Sequence, residues 1–135
     1  MPKRSSTTTV WLVAHVELLG CTTHPHRDTL LAHVATSRRA ALTWIRRHAT
    51  NAWSWWDVFA FEPDCPSFER DDTCALPVLH LDAKGRVVKA PGVRVARAAF
   101  LANRRRELAS GALGRDEDRC AFCMRAARRK GRRRA

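Results

Sequence analysis

The sequence predicts an α+β fold: a small antiparallel sheet of four to five strands with one amphipathic helix packed on it, plus an Arg-rich helical C-terminal extension. Three observations carry this. An apolar period of 3.6 residues runs between Ser37 and Ala49, a period of two takes over from Trp53 to Phe61, and the composition shifts after Pro91-Gly92. The expected organisation is a core domain over residues 1–90 and a basic helical extension with a CxxC pair over residues 91–135.

The organising stretch is Val34 to Phe61, which holds four of the five tryptophans. Thr36 or Ser37 can cap a helix by accepting a hydrogen bond from an otherwise unpaired N–H, and no Gly or Pro interrupts the residues up to Ala49. Ala41, Trp44, Ile45 and His48 fall on one face, while Arg39, Thr43, Arg46, Arg47 and Thr50 fall on the other. His48 is expected as a hydrogen-bonded core histidine. Beyond it, Trp53, Trp55, Phe59 and Phe61 point one way along a strand, and Ser54, Trp56, Val58 and Ala60 the other. These alternating tryptophans, and Trp11, read as core rather than as nucleobase platforms. Asp57 interrupts the aromatic face and is expected to be a buried pair, with an Arg as partner.

The remaining elements rest on local chemistry. Thr9 to Leu19 is apolar with few interruptions, as suits a central strand covered on both faces, and Gly20 ends it. Cys21 to Asp28 reads as a loop from its Pro, Asp and hydroxyl content, and Thr29 to Val34 as a short returning strand. Glu62 to Pro77 holds three Pro, three Asp, two Glu and two Cys, a long irregular connection. Pro77 to Asp82 and Arg86 to Lys89 form a hairpin whose turn, Ala83-Lys84-Gly85, needs Gly85 at its left-handed position. Val93 to Ala109 is helical with a thin apolar stripe, so it packs by one side. Ser110 to Gly114 is a joint. Asp116-Glu117-Asp118 suits the N-terminal end of a final helix, where carboxylates meet the positive pole of the dipole.

At 135 residues the chain is long enough to bury a core without metal or disulfide support. Its longest apolar run, Val10 to Leu19, is roughly half of the ~20 residues a bilayer span requires, and the first residues lack a secretory-type apolar stretch. A cytoplasmic protein is expected, with its five cysteines as thiols or metal ligands. The net charge of +12 is unevenly placed: residues 1–80 carry eight basic and eight acidic side chains, residues 81–135 seventeen basic and five acidic. An excess confined to one end points to a polyanion, nucleic acid first and an anionic membrane surface second.

Two motifs carry chemistry. Cys120-Ala-Phe-Cys123 can grip one ion through two thiolates, and a structural zinc needs two more ligands. Cys65 and Cys74 are expected to supply them; Cys21, His24 and His26 form a second group able to ligate a metal. The basic segment supplies Arg125, Arg128, Arg129, Lys130, Arg132, Arg133 and Arg134 as phosphate contacts, and Arg97, Arg104, Arg105 and Arg106 on the preceding helix extend the track. Nothing there reads base identity, so specificity is expected to be low or to come from structure such as RNA folds, and the sequence does not choose between DNA and RNA.

Pro63-Asp64 followed by Asp82-Ala83-Lys84 resembles the PD-(D/E)xK nuclease signature. The resemblance implies two carboxylates holding Mg2+ and a lysine steadying the attacking water or the phosphate. In that family the triplet lies on a strand; here Gly85 follows it and the stretch reads as a turn. No P-loop, dinucleotide fingerprint, nucleophile elbow or His-Glu-x-x-His is present. The expected function is a non-catalytic nucleic-acid-binding protein, a component of a ribonucleoprotein or DNA-processing assembly. A protein-interaction module for an acidic protein partner stands second and the nuclease third.

Overall fold

A computed structural model describes residues 9–48, 50–62 and 76–134, with Arg134 described by its backbone alone. The chain forms an antiparallel five-stranded sheet with helices, an α+β architecture. Its elements are β1 (Val10–Gly20), β2 (Pro25–Ala35), α1 (Arg38–Arg47), β3 (Ser54–Phe61), β4 (Leu79–Leu81), β5 (Val87–Val88), α2 (Val93–Ser110) and α3 (Ala121–Arg134). The strand order is β2-β1-β3-β4-β5. β1 therefore has a neighbour on each side, and its near-continuous apolar sequence reflects burial on both faces.

The two faces are separated by the period of two. Val13 on β1, Trp56 and Val58 on β3 and Leu81 on β4 pack against Ala41 and Ile45 of α1, with Trp11, Trp44 and Leu79 at the margin. Val16, Leu18 and Trp55 point to the opposite face, where Ala96 and Phe100 of α2 cover them. The adjacent residues Trp55 and Trp56 thus anchor two cores, at 2% and 4% exposure. The layer of α2 explains why β1 has no polar face.

Local chemistry sets the ends of α1. Ser37 is the cap: its Oγ accepts from the Ala40 N–H at 3.0 Å. The helix closes at His48 rather than Ala49, which lies outside the described residues. His48 is not the core histidine that the helical period predicts. It is exposed, lies stacked on the Trp44 ring at 3.7 Å, and its Nδ1 donates to the Trp44 carbonyl at 2.6 Å. Its position at the helix terminus turns it off the buried stripe. Asp57 is paired, but with His80 at 2.6 Å instead of an arginine; directly opposed strand positions bring the two together.

β2 is longer than its sequence suggests. It pairs with β1 from Pro25↔Gly20 to Ala35↔Trp11, with one irregularity where Val13↔His33 gives way to Ala14↔Leu31. Pro25, His26, Arg27 and Asp28, expected as loop, belong to this strand. It lies at the sheet edge, where a polar sequence is tolerated and Pro at the first position forfeits no ladder bond. The β4–β5 turn is as expected, with Gly85 at φ +80°. The Asp82 carboxylate closes that turn, accepting from the N–H groups of Lys84 at 3.0 Å and Arg86 at 2.9 Å and from Arg86 Nε at 2.8 Å. Partial burial acts to raise its pKa, and these donors outweigh that effect, holding the carboxyl below its usual range. Pro63 and Asp64 lie outside the described residues.

Trp55→Ala and Trp56→Ala should each cost about 3–5 kcal/mol, because each removes the largest side chain of a different core; urea unfolding of both variants checks it, and a loss confined to one would mean that only one face carries the fold. His15 sits beneath the Trp56 ring at 4.5 Å with Nε2 2.8 Å from Thr50 Oγ1. Burial lowers its pKa, outweighing the attraction of Glu17. The unfolded chain therefore takes up a proton that the folded one refuses, so the contribution is intact above the ordinary His pKa of about 6.5 and is lost as pH falls through and below it. Stability of wild type relative to His15→Gln should fall between about pH 7.5 and 5.5; a pH-independent difference would contradict the assignment.

Candidate metal centre and cationic helix

The turn between β1 and β2 begins at Gly20, whose φ of +102° only glycine adopts without strain, and where a Cβ would collide with the His24 carbonyl. This tight reversal presents Cys21 and His24 from one short loop. Cys120 and Cys123 come from the start of α3. The two pairs, about a hundred residues apart in the chain, converge: the ligand atoms of Cys21, His24, Cys120 and Cys123 all lie within 4.8 Å of one another. Cys21 Sγ is 3.4 Å from Cys123 Sγ, His24 Nδ1 is 3.1 Å from Cys123 Sγ and 3.6 Å from Cys21 Sγ, and Cys120 Sγ is 3.9 Å from Cys123 Sγ. Cys21 is 1% exposed. These four residues could hold a metal ion.

Other contacts fasten the same junction. Asp118 accepts from the Thr22 N–H at 3.0 Å and the Thr22 hydroxyl at 2.5 Å, and Arg104 of α2 donates to the Gly20 carbonyl at 2.5 Å while lying 3.8 Å from Asp118. Asp118, expected at a helix N-terminus, instead bonds the hairpin loop, and α3 starts three residues later. The four side chains are thus brought together by a polar frame of their own.

The electrostatics of the cluster are conflicted. Burial acts to raise the Cys21 thiol, but hydrogen bonds with His24 and Cys123 bring its pKa below the ordinary value. Desolvation likewise opposes ionisation of Cys120, and bonding with the Cys123 and Phe122 backbone and with Cys21 prevails and lowers it. For Cys123 a backbone bond with Cys120 favours the thiolate, yet the neighbouring Cys21 and Cys120 sulfurs raise its pKa overall. Three sulfurs at this spacing cannot all be anionic without a cation between them. A bound ion removes that conflict.

The CxxC pair is legible in the sequence as half of a site. Of its expected partners, Cys65 and Cys74 lie outside the described residues, and the completing pair within them is Cys21 and His24. A signal for that pair exists in the spacing: Cys-x-x-His on a glycine-led turn matches Cys-x-x-Cys on a helix start. Their distance along the chain hides it. His26 is not in the cluster; its Nδ1 is 3.3 Å from the His24 carbonyl.

The cations separate into two groups. Arg104 is half-buried and committed to Gly20, Asp118 and Glu107, with its guanidinium 5.2 Å from the Phe100 ring centre. Its place is structural. Arg97, Arg105 and Arg106 are exposed on α2. Arg125, Arg128, Arg129, Lys130, Arg132 and Arg133 are exposed on α3, and among the described residues none of them makes an ion pair. Of Arg134 only the helical backbone is described. Among the described residues no helix is long and apolar enough to cross a membrane.

No family model matches this chain, and no curated protein or solved structure does either. The chemistry of the site is therefore the only guide to its role.

The protein is expected to carry a single equivalent of metal that Cys21→Ser and Cys123→Ser each lose and that Cys65→Ser and Cys74→Ser retain. Metal analysis of the four purified variants decides it, and retention in Cys21→Ser would exclude this ligand set.

Proposed function

We propose that the protein is a non-catalytic nucleic-acid-binding module in which a zinc ion fastens a cationic helix to a β-sheet body. The observation that carries the reading is α3 itself: over Ala121–Arg134 it has seven basic residues and no acidic one, and among the described residues its exposed cations are not matched internally. Like charges at i,i+4 oppose helix formation, and Gly131 in the last turn weakens it further. A helix of this length is marginal alone. Phosphates laid against it would relieve the repulsion and release counterions, so charge neutralisation and helix stabilisation act together.

Zinc suits the cluster by size and by donor type. With Zn–S of about 2.3 Å and Zn–N of about 2.0–2.1 Å, tetrahedral geometry puts ligand atoms about 3.5–3.8 Å apart. The sulfur and nitrogen separations of 3.1, 3.4, 3.6 and 3.9 Å straddle that range. Three thiolates and an imidazole form a closed set of the structural kind, with no open position for a reacting water. The ion would fix the direction in which α3 leaves the body.

A protein partner with an acidic surface would meet the same cations, but it would not need α3 to be free of carboxylates on every side. The assembly in which a nucleic acid is met, whether ribonucleoprotein or DNA-processing, belongs to the same proposal.

Binding to DNA, RNA and heparin should weaken steeply with salt. Replacing Arg125, Arg128, Arg129, Arg132 and Arg133 by Gln should reduce the log–log slope by roughly 0.7–0.9 for each phosphate that is no longer neutralised. A fluorescence-anisotropy salt titration measures both. Retention no more salt-sensitive than that of a neutral protein would overturn the reading.

A further inference from the structure

The cations of α3 are not spread round a uniform rod. Phe122, Ala126, Arg129 and Arg133 succeed one another at spacings of four, three and four residues, which keeps them in a single stripe along a helix of about 3.6 residues per turn. Arg125 and Lys130 flank the stripe, and the six residues line one open depression along the helix. Cys123, one residue on from Phe122, is rotated by about 100° and faces the metal cluster instead.

Phe122 closes one end of this depression. It is 53% exposed and belongs to neither core cluster. The guanidinium carbon of Arg125 is 6.0 Å from its ring centre, and the rings of His24 and His26 stand 5.8 Å and 6.4 Å away. Because Phe122 lies between two of the clustered cysteines, its backbone is set by the best-braced part of the junction. An exposed aromatic anchored at the junction, with one guanidinium over its ring and further cations along the same depression, is a platform rather than a stray apolar side chain.

We propose that the polyanion bound by α3 is a single-stranded nucleic acid, with an unpaired base stacked on Phe122 and the adjoining phosphates laid along Arg125, Arg129 and Arg133. This rests on the nucleic-acid reading above and narrows it. Arginines alone serve a duplex, a single strand or a sulfated polysaccharide equally, since each offers a row of anions. An aromatic face adds binding only where a base face is free, and in a duplex those faces are stacked on one another. Arg125 completes the arrangement by holding a phosphate beside the stacked ring. Ala126, the small residue between Phe122 and Arg129, lets the backbone of the strand approach the helix closely.

The experiment compares oligothymidylate, a DNA duplex of the same length and heparin, each titrated at fixed salt against the full-length protein and its variants. Phe122→Ala should weaken oligothymidylate binding about tenfold, in line with the worth of one stacked base, while duplex and heparin binding change less than about twofold. Phe122→Trp should preserve or improve the single-strand affinity, and it keeps the test decisive if the alanine variant loses metal or helix content. Arg129→Ala with Arg133→Ala should weaken all three ligands together. Wild-type preference for duplex, or equal losses for the three ligands in Phe122→Ala, would overturn the single-strand inference and leave the cationic reading standing. Unchanged binding in the double arginine variant would overturn both.

Discussion

The arrangement depends on one meeting point, where the β1–β2 turn touches the start of α3. Cys21 and Cys123 are 102 residues apart in sequence and 3.4 Å apart in space. Without that junction α3 has no fixed place, because its own surface offers almost no apolar contact and its cations repel. The junction in turn needs β1 to hold the turn at the end of the sheet and α2 to deliver the chain to it. Trp55 serves the second requirement: it is the flat apolar seat on which Ala96 and Phe100 of α2 rest. Core packing, polar bracing by Thr22, Arg104 and Asp118, and the ligand cluster therefore form a chain of dependence that runs from body to arm.

The charge distribution acquires a physical meaning from this geometry. Of the two basic helices, α2 commits Arg104 to the junction and buries its apolar stripe against the sheet, whereas α3 keeps its cations in water. Position, rather than number, separates a structural arginine from one free to meet a phosphate. The separation of Cys123 from Phe122 by one helical step has a similar consequence: Cys123 meets the ligand cluster, Phe122 borders the His24 and His26 rings while staying exposed, and Arg129 and Arg133 continue its stripe in water.

Much of the fold is legible in the residues alone. The helix at Ser37, the switch of period at Trp53, the turn at Gly85 and the helix from Val93 stem in turn from capping, alternation, a required positive φ and an apolar stripe at helical spacing, all properties of nearby residues. The extent of β2 is not legible, because an edge strand needs no apolar face and Pro25 to Asp28 carry a loop-like composition. His48 escapes for a related reason: a helical wheel continued one residue past the last turn assigns a face to a residue that has already left the helix. Asp57 can be seen to need a partner, but that partner, His80, is chosen by strand register, which a linear reading does not contain.

By itself the sequence determined the class of the fold, the polarity of its charge and the CxxC half of a candidate metal cluster, since these reside in composition and in spacings of a few residues. Only the tertiary structure decided which residues complete the cluster and which arginines stay free. The physical reason is that a metal site and an ion pair are set by distances of a few ångströms between residues far apart in the chain. Those distances are fixed by strand order, by the two tryptophans facing opposite sides of one sheet, and by the glycine turn that brings Cys21 to the foot of α3.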